Sequence, residues 1–187
     1  MSKFDEILDK AVEHRHLSPE ELEMVKSELL DPETSEDRSN LLHILGHVGN
    51  PSMVPIVEGY LDWREDPYVA AMALQVLCDS WGLYDEYRHV LIRFMRRVPW
   101  DEDEEVRNMA ISCAGESLRE RRDPELALVL MDMAQDESEE ELTRSWAMRA
   151  LARGAGFSYN EMPGVRAGLR PDSDLGRMIL ERARSLL

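Results

Sequence analysis

The sequence has few cysteines and no long apolar run. Its two cysteines, Cys78 and Cys113, are too few for a disulfide framework or a cysteine-ligated zinc site, and both lie in apolar helical contexts. We therefore expect two reduced core residues. No apolar run approaches the length of a membrane span, and residues 1–14, MSKFDEILDKAVEH, lack the apolar segment of a secretory signal. These absences predict a cytoplasmic protein that is not bound to a membrane.

Basic residues are scarce as well. The 187 residues include 38 acidic residues against 22 basic ones, which gives a formal net charge of −16 at pH 7. Such a charge repels phosphate backbones and anionic lipid, because nucleic-acid affinity comes largely from cations that displace counterions. The charge therefore argues against a nucleic-acid partner and favours a basic protein partner.

Strand patterns are almost absent, whereas helical periodicity runs nearly throughout the chain. The sequence SPEE predicts a helix that begins at Pro19, with Ser18 and Glu21 forming a capping box, and that ends near Leu30. These features predict an all-α protein. The other predicted helices cover residues 3–14, 36–47, 51–62, 66–81, 84–98, 103–119, 124–135, 139–153 and 173–186.

Three segments repeat one pattern at an interval of 37 residues: DPYVAAMALQVL at 66–77, DEEVRNMAISCA at 103–114 and EELTRSWAMRAL at 140–151. They align without gaps and predict the same buried helical stripe three times. A period in the thirties with two helices in each unit is typical of an α-solenoid. The alanine column, which consists of Ala73, Ala110 and Ala147, would let neighbouring helices approach closely. The aligned columns are Val69, Val106 and Thr143; Met72, Met109 and Trp146; Ala73, Ala110 and Ala147; Val76, Cys113 and Ala150; Leu77, Ala114 and Leu151.

The stretch LGHVGNPSMVPIVEGYLDWREDPYVAAMAL at 45–74 resembles the HEAT repeat, in particular the bacterial HEAT-like repeats first noted in phycobilisome lyases. The second-helix motif Asp-x-x-Val-Arg-x-x-Ala recurs in full at 103–110. The resemblance implies a right-handed α-solenoid of about four HEAT-like helix pairs over residues 33–187, behind an N-terminal helical cap at 1–32, in a single domain. The positions in the first copy that carry it are Leu45, Gly46, Gly49, Pro51, Val54, Pro55, Leu61, Asp66, Val69 and Ala73.

Catalytic patterns are missing from the sequence. His43 and His47 have an i, i+4 spacing that can hold a metal, but no glutamate follows His43 and no third ligand is evident nearby. The chain contains no His-Glu dipeptide, which the iron-binding HEAT-repeat deoxyhypusine hydroxylases carry. The glycine-containing stretches GHVG at 46–49 and RGAG at 153–156 fall at predicted helix ends, and neither resembles a phosphate-binding loop. We therefore expect no catalytic residue, no metal and no cofactor.

Acidic turns recur at nearly the repeat interval: WREDP at 63–67, WDEDEE at 100–105 and DESEEE at 136–141. In a solenoid these turns would align as one acidic edge. Acidic residues at helix N-termini cap the helix and complement its dipole, but five consecutive acids exceed what capping needs. The edge is therefore either a partner-binding surface or merely solvated. Its candidate binding residues are Asp101, Glu102, Asp103, Glu104, Glu105, Glu139 and Glu140.

A polar row remains on the repeated helices once the buried stripe is removed. We expect this row to be exposed on the inner face of the array, where HEAT-like proteins usually bind. It is mixed in charge and lacks a convergent acid–base pair or a nucleophile, so recognition is a better interpretation than catalysis. The candidate partner-binding residues in the row are Gln75, Asp79, Asn108, Ser112, Glu116, Arg149 and Arg153.

Two main hypotheses for function follow, beside the third possibility of a structural adaptor for a neutral helical partner, for which salt should matter little. The first is a non-enzymatic protein-binding scaffold in the bacterial cytoplasm, in its sharper form an acidic immunity protein that neutralises a basic toxin. The second is an enzyme-associated subunit of lyase or chaperone type that binds a small ligand on the concave face. If the protein is a binding scaffold, neutralisation of residues 101–105 should weaken partner binding. If it is an enzyme-associated subunit, charge reversal at Asp79 and Glu116 should abolish turnover.

Overall fold

The computed structural model describes residues 3–13, 15–34, 37–164 and 167–187, and every regular element in these ranges is helical. The all-α prediction is therefore confirmed for the described part of the chain. Predicted helix positions His14 and Glu36 lie outside it. The α-helices are α1 (Lys3–Val12), α2 (Pro19–Leu30), α3 (Arg38–Val48), α4 (Val54–Glu58), α5 (Pro67–Gln75), α6 (Arg88–Met95), α7 (Glu105–Glu120), α8 (Pro124–Gln135), α9 (Glu141–Gly154) and α10 (Asp174–Ala183).

Side-chain caps determine where several of these helices begin. The predicted capping box of α2 is confirmed: Ser18 Oγ accepts from the Glu21 N–H at 3.2 Å, and the Glu21 carboxylate accepts from the Ser18 N–H at 2.8 Å. Asp66 caps α5 by accepting a hydrogen bond from the Tyr68 N–H at 3.0 Å. At the other end of a helix, Gly49 terminates α3 with φ +61°, a left-handed conformation that glycine adopts without a steric penalty.

Two helices are shorter than predicted, and proline explains part of each difference. The predicted helix at 51–62 is a 3₁₀ turn at Pro51–Met53 followed by the short α4, because Pro55 lacks the N–H that would continue a regular helix from Pro51. The predicted helix at 84–98 reduces to α6. Arg97 follows it with φ +69°, and Pro99 disfavours the α conformation at the residue before it.

The chain divides into two compact units. Unit 1 comprises Met1–Tyr87 and Pro99–Val106. Within it α1 and α2 pack on α3, and α3 packs on α5 and on the π-helical turn Val76–Ser80 that extends α5. The predicted N-terminal cap at 1–32 therefore lies against the helix that opens the predicted repeats. The core of unit 1 contains the fully buried side chains of Leu41, Leu42, Ile44, Leu45, Leu74 and Leu77.

Unit 2 comprises Arg88–Val98 and Arg107–Leu187. Within it α8 packs on α6 and α9, and α9 packs on α10. The predicted buried stripe is confirmed in its alanine column, since Ala73 in unit 1 and Ala110 and Ala147 in unit 2 have no exposed surface. The column of Met72, Met109 and Trp146 is only half-buried. Cys78 and Cys113 are buried free cysteines, as predicted.

Candidate functional site

The net negative charge of the protein comes from unit 1. This unit contains 24 acidic residues against six basic ones, a formal net charge of −18, whereas unit 2 contains 14 acidic residues against 16 arginines, a net charge of +2. The five consecutive acids at 101–105 belong to unit 1, although they follow unit 2's α6 in the sequence. The two units therefore offer different electrostatic surfaces to a partner.

The acidic segment 101–105 combines buried and exposed carboxylates. Asp101 is buried, and Glu104 has a left-handed backbone with φ +57° before α7 begins. Glu102, Asp103 and Glu105 are exposed, and no ion pair or hydrogen bond engages their carboxylates in the described part of the chain. Within this segment, these three carboxylates are the best placed to meet a partner.

Glu139, which the sequence places on the same acidic edge, is turned inward within unit 2. Both terminal nitrogens of Arg107 donate to its carboxylate, one at 2.9 Å, and Arg97 donates to it at 3.0 Å. Arg107 is itself 2% exposed and donates from Nε to the Met95 carbonyl at 2.9 Å. The Arg107 hydrogen bonds hold the pKa of Glu139 below its usual range. Glu140, the next residue, is exposed and precedes α9.

A cavity of about 610 Å³ adjoins this ion pair within unit 2. Met95, Val129 and Met133 form its apolar wall. Its polar wall carries both signs of charge, so charge alone selects no ligand there. The polar wall consists of Arg96, Arg97, Arg107, Asp132, Gln135, Asp136 and Glu139.

Two arginines of the predicted exposed row are buried instead. Arg149 and Arg153 each retain only 8% exposure. Helices α7 and α9 approach so closely at Gly115 that a Cβ added there would lie 2.8 Å from the Ala150 Cα. Arg153 lies in this contact, with a terminal nitrogen 2.9 Å from the same added Cβ, and Arg149 donates to the Pro163 carbonyl. The prediction of an exposed row is therefore wrong at these two positions.

The described structure brings part of the row together around Arg153. This guanidinium donates to the Glu116 carboxylate, to the Tyr159 hydroxyl at 3.0 Å and to the Ser112 carbonyl at 3.2 Å. Arg149 lies one turn earlier on α9 and donates to the Pro163 carbonyl. Asn108 occupies the same face of α7 one turn before Ser112.

The remaining residues of the row lie in unit 1. Gln75 is half-buried at the end of α5, and Asp79 is exposed and accepts a hydrogen bond from the Tyr84 hydroxyl at 3.1 Å. The row that the sequence predicts as one surface is thus divided between the two units.

Some polar contacts were not predicted from the sequence. Arg88 donates to both carboxylate oxygens of Asp123, which also caps α8, and to Glu125. The only sequence feature that could have indicated such contacts is the recurring arginine of the Asp-x-x-Val-Arg motif, which is Arg107 in the second copy. Pairs separated by more than 30 residues have no local pattern.

His43 and His47 lie side by side on the exposed face of α3, with their Nε2 atoms 3.1 Å apart. No group of three or more histidine, cysteine, aspartate or glutamate side chains is placed to hold a metal ion in the described ranges. None of the described helices combines the length and the apolar character that a membrane span requires.

Comparison of the chain with protein-family models, with curated proteins and with solved structures finds no match. Its function is therefore inferred from its own residues.

Proposed function

We propose that the protein is a non-enzymatic binding scaffold whose unit 1 recognises a basic protein. The observation that carries this proposal is the charge of −18 on unit 1 together with the exposed carboxylates of Glu102, Asp103 and Glu105. No described cation neutralises these three groups, so their mutual repulsion opposes folding. A basic partner would relieve that repulsion on binding.

Electrostatic attraction would act mainly on the rate of association. A field of one sign over a surface concentrates oppositely charged partners and orients them before contact, which raises association rates by about 10- to 1,000-fold at low salt. The nearly neutral unit 2 gives no such field. We therefore assign the first encounter to unit 1.

The scaffold itself is proposed to be a HEAT-like α-solenoid of about four helix pairs. The buried alanine column supports this, because small residues at Ala73, Ala110 and Ala147 allow the close helix packing that such repeats need. The packing of α8 on α9 within unit 2 is consistent with one helix pair.

The sharper form of the proposal is an immunity protein that neutralises a basic toxin in the bacterial cytoplasm. An inhibitor of this kind needs only a complementary surface and fast association, and the acidic unit 1 would supply both. The alternative is a subunit of lyase or chaperone type that binds a small ligand. The polar cluster of Ser112, Glu116 and Arg153 is the observation that favours this alternative.

The test is capture of partners from a native lysate on the tagged protein at low salt, with identification by mass spectrometry. The proposal expects a single basic protein that the triple variant Glu102→Gln/Asp103→Asn/Glu105→Gln no longer retains. The matched control variant, Glu120→Gln/Glu137→Gln/Glu181→Gln, lacks three exposed carboxylates of unit 2 and should still retain the basic protein. Equal retention by both variants, or a partner that is not basic, would contradict the proposal.

The immunity form has a separate readout. Expression of the captured protein alone should stop bacterial growth, and co-expression of the wild-type chain should restore it, whereas the triple variant of unit 1 should not. A captured protein that is harmless on its own would reject the immunity form and leave the scaffold proposal standing.

A further inference from the structure

Arg149 is a buried cation that no carboxylate in the described part of the chain neutralises. It is 8% exposed, donates from Nη2 to the Pro163 carbonyl and has an Nε–H without a partner. Burial and the neighbouring Arg153 both disfavour its charged form and lower its pKa, yet an arginine remains protonated in proteins. An uncompensated buried charge is costly, so a native site of this kind calls for a counter-charge.

The carboxylate that pairs with Arg153 is already shared. Glu116 accepts from Arg153 and forms an ion pair with Arg119 at 3.1 Å, so two guanidinium groups divide one negative charge. Within the described residues, Arg153 also has a buried Nε–H without a partner. Arg149, whose pKa is lowered in part by the charge of Arg153, therefore adds a positive charge to a group in which two guanidiniums already share the Glu116 carboxylate.

Two of the unpartnered groups come from one face of α9. Arg149 and Arg153 are four residues apart on α9, so their side chains project from the same face of the helix. The Oδ1 of Asn108, from the same face of α7 as Ser112, is likewise buried without a partner. The amide of an asparagine can turn its NH₂ in place of its oxygen, which would add a donor.

We infer that Arg149 and Arg153 form a binding site for an oxyanion, a carboxylate or phosphate group whose oxygens accept from the guanidinium N–H groups that have no partner among the described residues. A guanidinium offers its donors in a planar fork that matches two oxygens of such a group. The site lies within unit 2 and does not depend on the proposed basic partner of unit 1.

The test uses the full-length protein and two defined probes, sodium phosphate and sodium acetate, against sodium chloride at equal ionic strength. The melting temperature of the wild type should rise with the concentration of at least one probe, because a ligand that binds only the folded state stabilises it. The Arg149→Met variant should show no rise. The control Arg184→Met removes an exposed arginine of unit 2 and should respond like the wild type.

The Arg149→Met variant also distinguishes an anion-binding role of Arg149 from a structural one. In chloride, Arg149→Met should melt at or above the wild-type temperature, since methionine replaces an uncompensated buried charge with an apolar side chain. In the wild type, the Nε–H resonance that is lost in Arg149→Met should shift during the titration. A response to acetate alone would assign the site to carboxylates, and a response to phosphate alone to phosphate groups.

Three results would overturn the inference. The first is an equal rise in melting temperature for the wild type and Arg149→Met, which would place anion binding elsewhere on the surface. The second is no response of the wild type to either probe. The third is an Arg149→Met variant that melts well below the wild type in chloride, because the guanidinium would then be a satisfied structural group.

Discussion

At the scale of single residues, a small number of arginines organise the polar interior of unit 2. Arg107 joins the end of α6 to the turn before α9, through the Met95 carbonyl and the Glu139 carboxylate. Arg153 joins α9 to α7 through Glu116 and Ser112. Each of these contacts spans more than ten residues of sequence, so they contribute to the fold and not only to individual helices.

Removal of Arg107 should therefore destabilise the protein strongly. The Arg107→Met variant leaves the Glu139 carboxylate, 15% exposed, without its bidentate partner, and loss of one member of such a pair costs about 3 kcal/mol or more. Urea denaturation would measure the loss. Arg97→Met removes a guanidinium that is 55% exposed from the same carboxylate and should cost less than about 1 kcal/mol. Equal losses of unfolding free energy in the two variants would show that burial does not strengthen the Arg107–Glu139 ion pair.

Glu139 should make the stability depend on pH. Arg107 lowers its pKa in the folded protein, so its contribution is present above its unfolded pKa of about 4.3 and is lost as the pH falls through the lower folded value. The difference in unfolding free energy between the wild type and Glu139→Gln should thus be largest near neutral pH and shrink towards about pH 3. A difference that stays constant over this range would contradict the assignment.

At the scale of elements, helix boundaries follow from local chemistry where the sequence carries explicit caps. The start of α2 at Pro19 and the full extent of α8 at 124–135 agree with the prediction, since Ser18 and Asp123 each accept from N–H groups of the first turn. The lengths of α4 and α6 were overestimated because amphipathic periodicity runs through Pro55 and up to Pro99, whereas the regular helices begin at Val54 and end at Met95.

The burial of Arg149 and Arg153 could not be predicted from helical periodicity. Subtraction of the apolar stripe assigns every polar side chain to the surface, but a long side chain can be covered when two helices approach closely. The small residues Gly115 and Ala150 permit that approach. Their effect depends on the pairing of α7 with α9, which is not a local property of either helix.

Gly115→Ala should test the close approach of α7 and α9. An added Cβ would lie 2.8 Å from the Ala150 Cα and 2.9 Å from a terminal nitrogen of Arg153, closer than side chains normally pack. Overpacking of this kind costs about 1–3 kcal/mol, which should exceed the gain of about 1 kcal/mol from replacing glycine in a helix. Thermal denaturation should show a lower melting temperature. An unchanged or higher value would mean that the helices separate easily.

At the scale of the whole molecule, charge is distributed by unit and not by position in the sequence. The acids at 101–105 count with the acidic N-terminal half, although residues 88–98, which precede them, belong to unit 2. The sequence alone shows that residues 1–87 contain 19 acidic and six basic residues, a net charge of −13, but it does not show that residues 101–105 belong to the same unit. The division into −18 and +2 follows only from the three-dimensional contacts.

Such an excess of one charge should make folding sensitive to salt. Repulsion among the carboxylates of unit 1 destabilises the compact state, and a shorter screening length weakens it. The melting temperature of the wild type should therefore rise with sodium chloride. The triple variant Glu102→Gln/Asp103→Asn/Glu105→Gln should begin at a higher melting temperature and gain less from salt. A wild type that loses stability with salt would indicate that favourable ion pairs dominate.

We propose that the charge of unit 1 attracts a basic protein partner. The salt dependence of the association rate with the captured partner is the sharpest check of that attraction. Between ionic strengths of about 0.01 M and 0.1 M the screening length shortens from about 30 Å to about 10 Å. We predict that the association rate of the wild type falls by about tenfold or more over this range, and that the triple variant associates more slowly with a weaker dependence. A rate that is the same for both proteins and independent of salt would contradict the account.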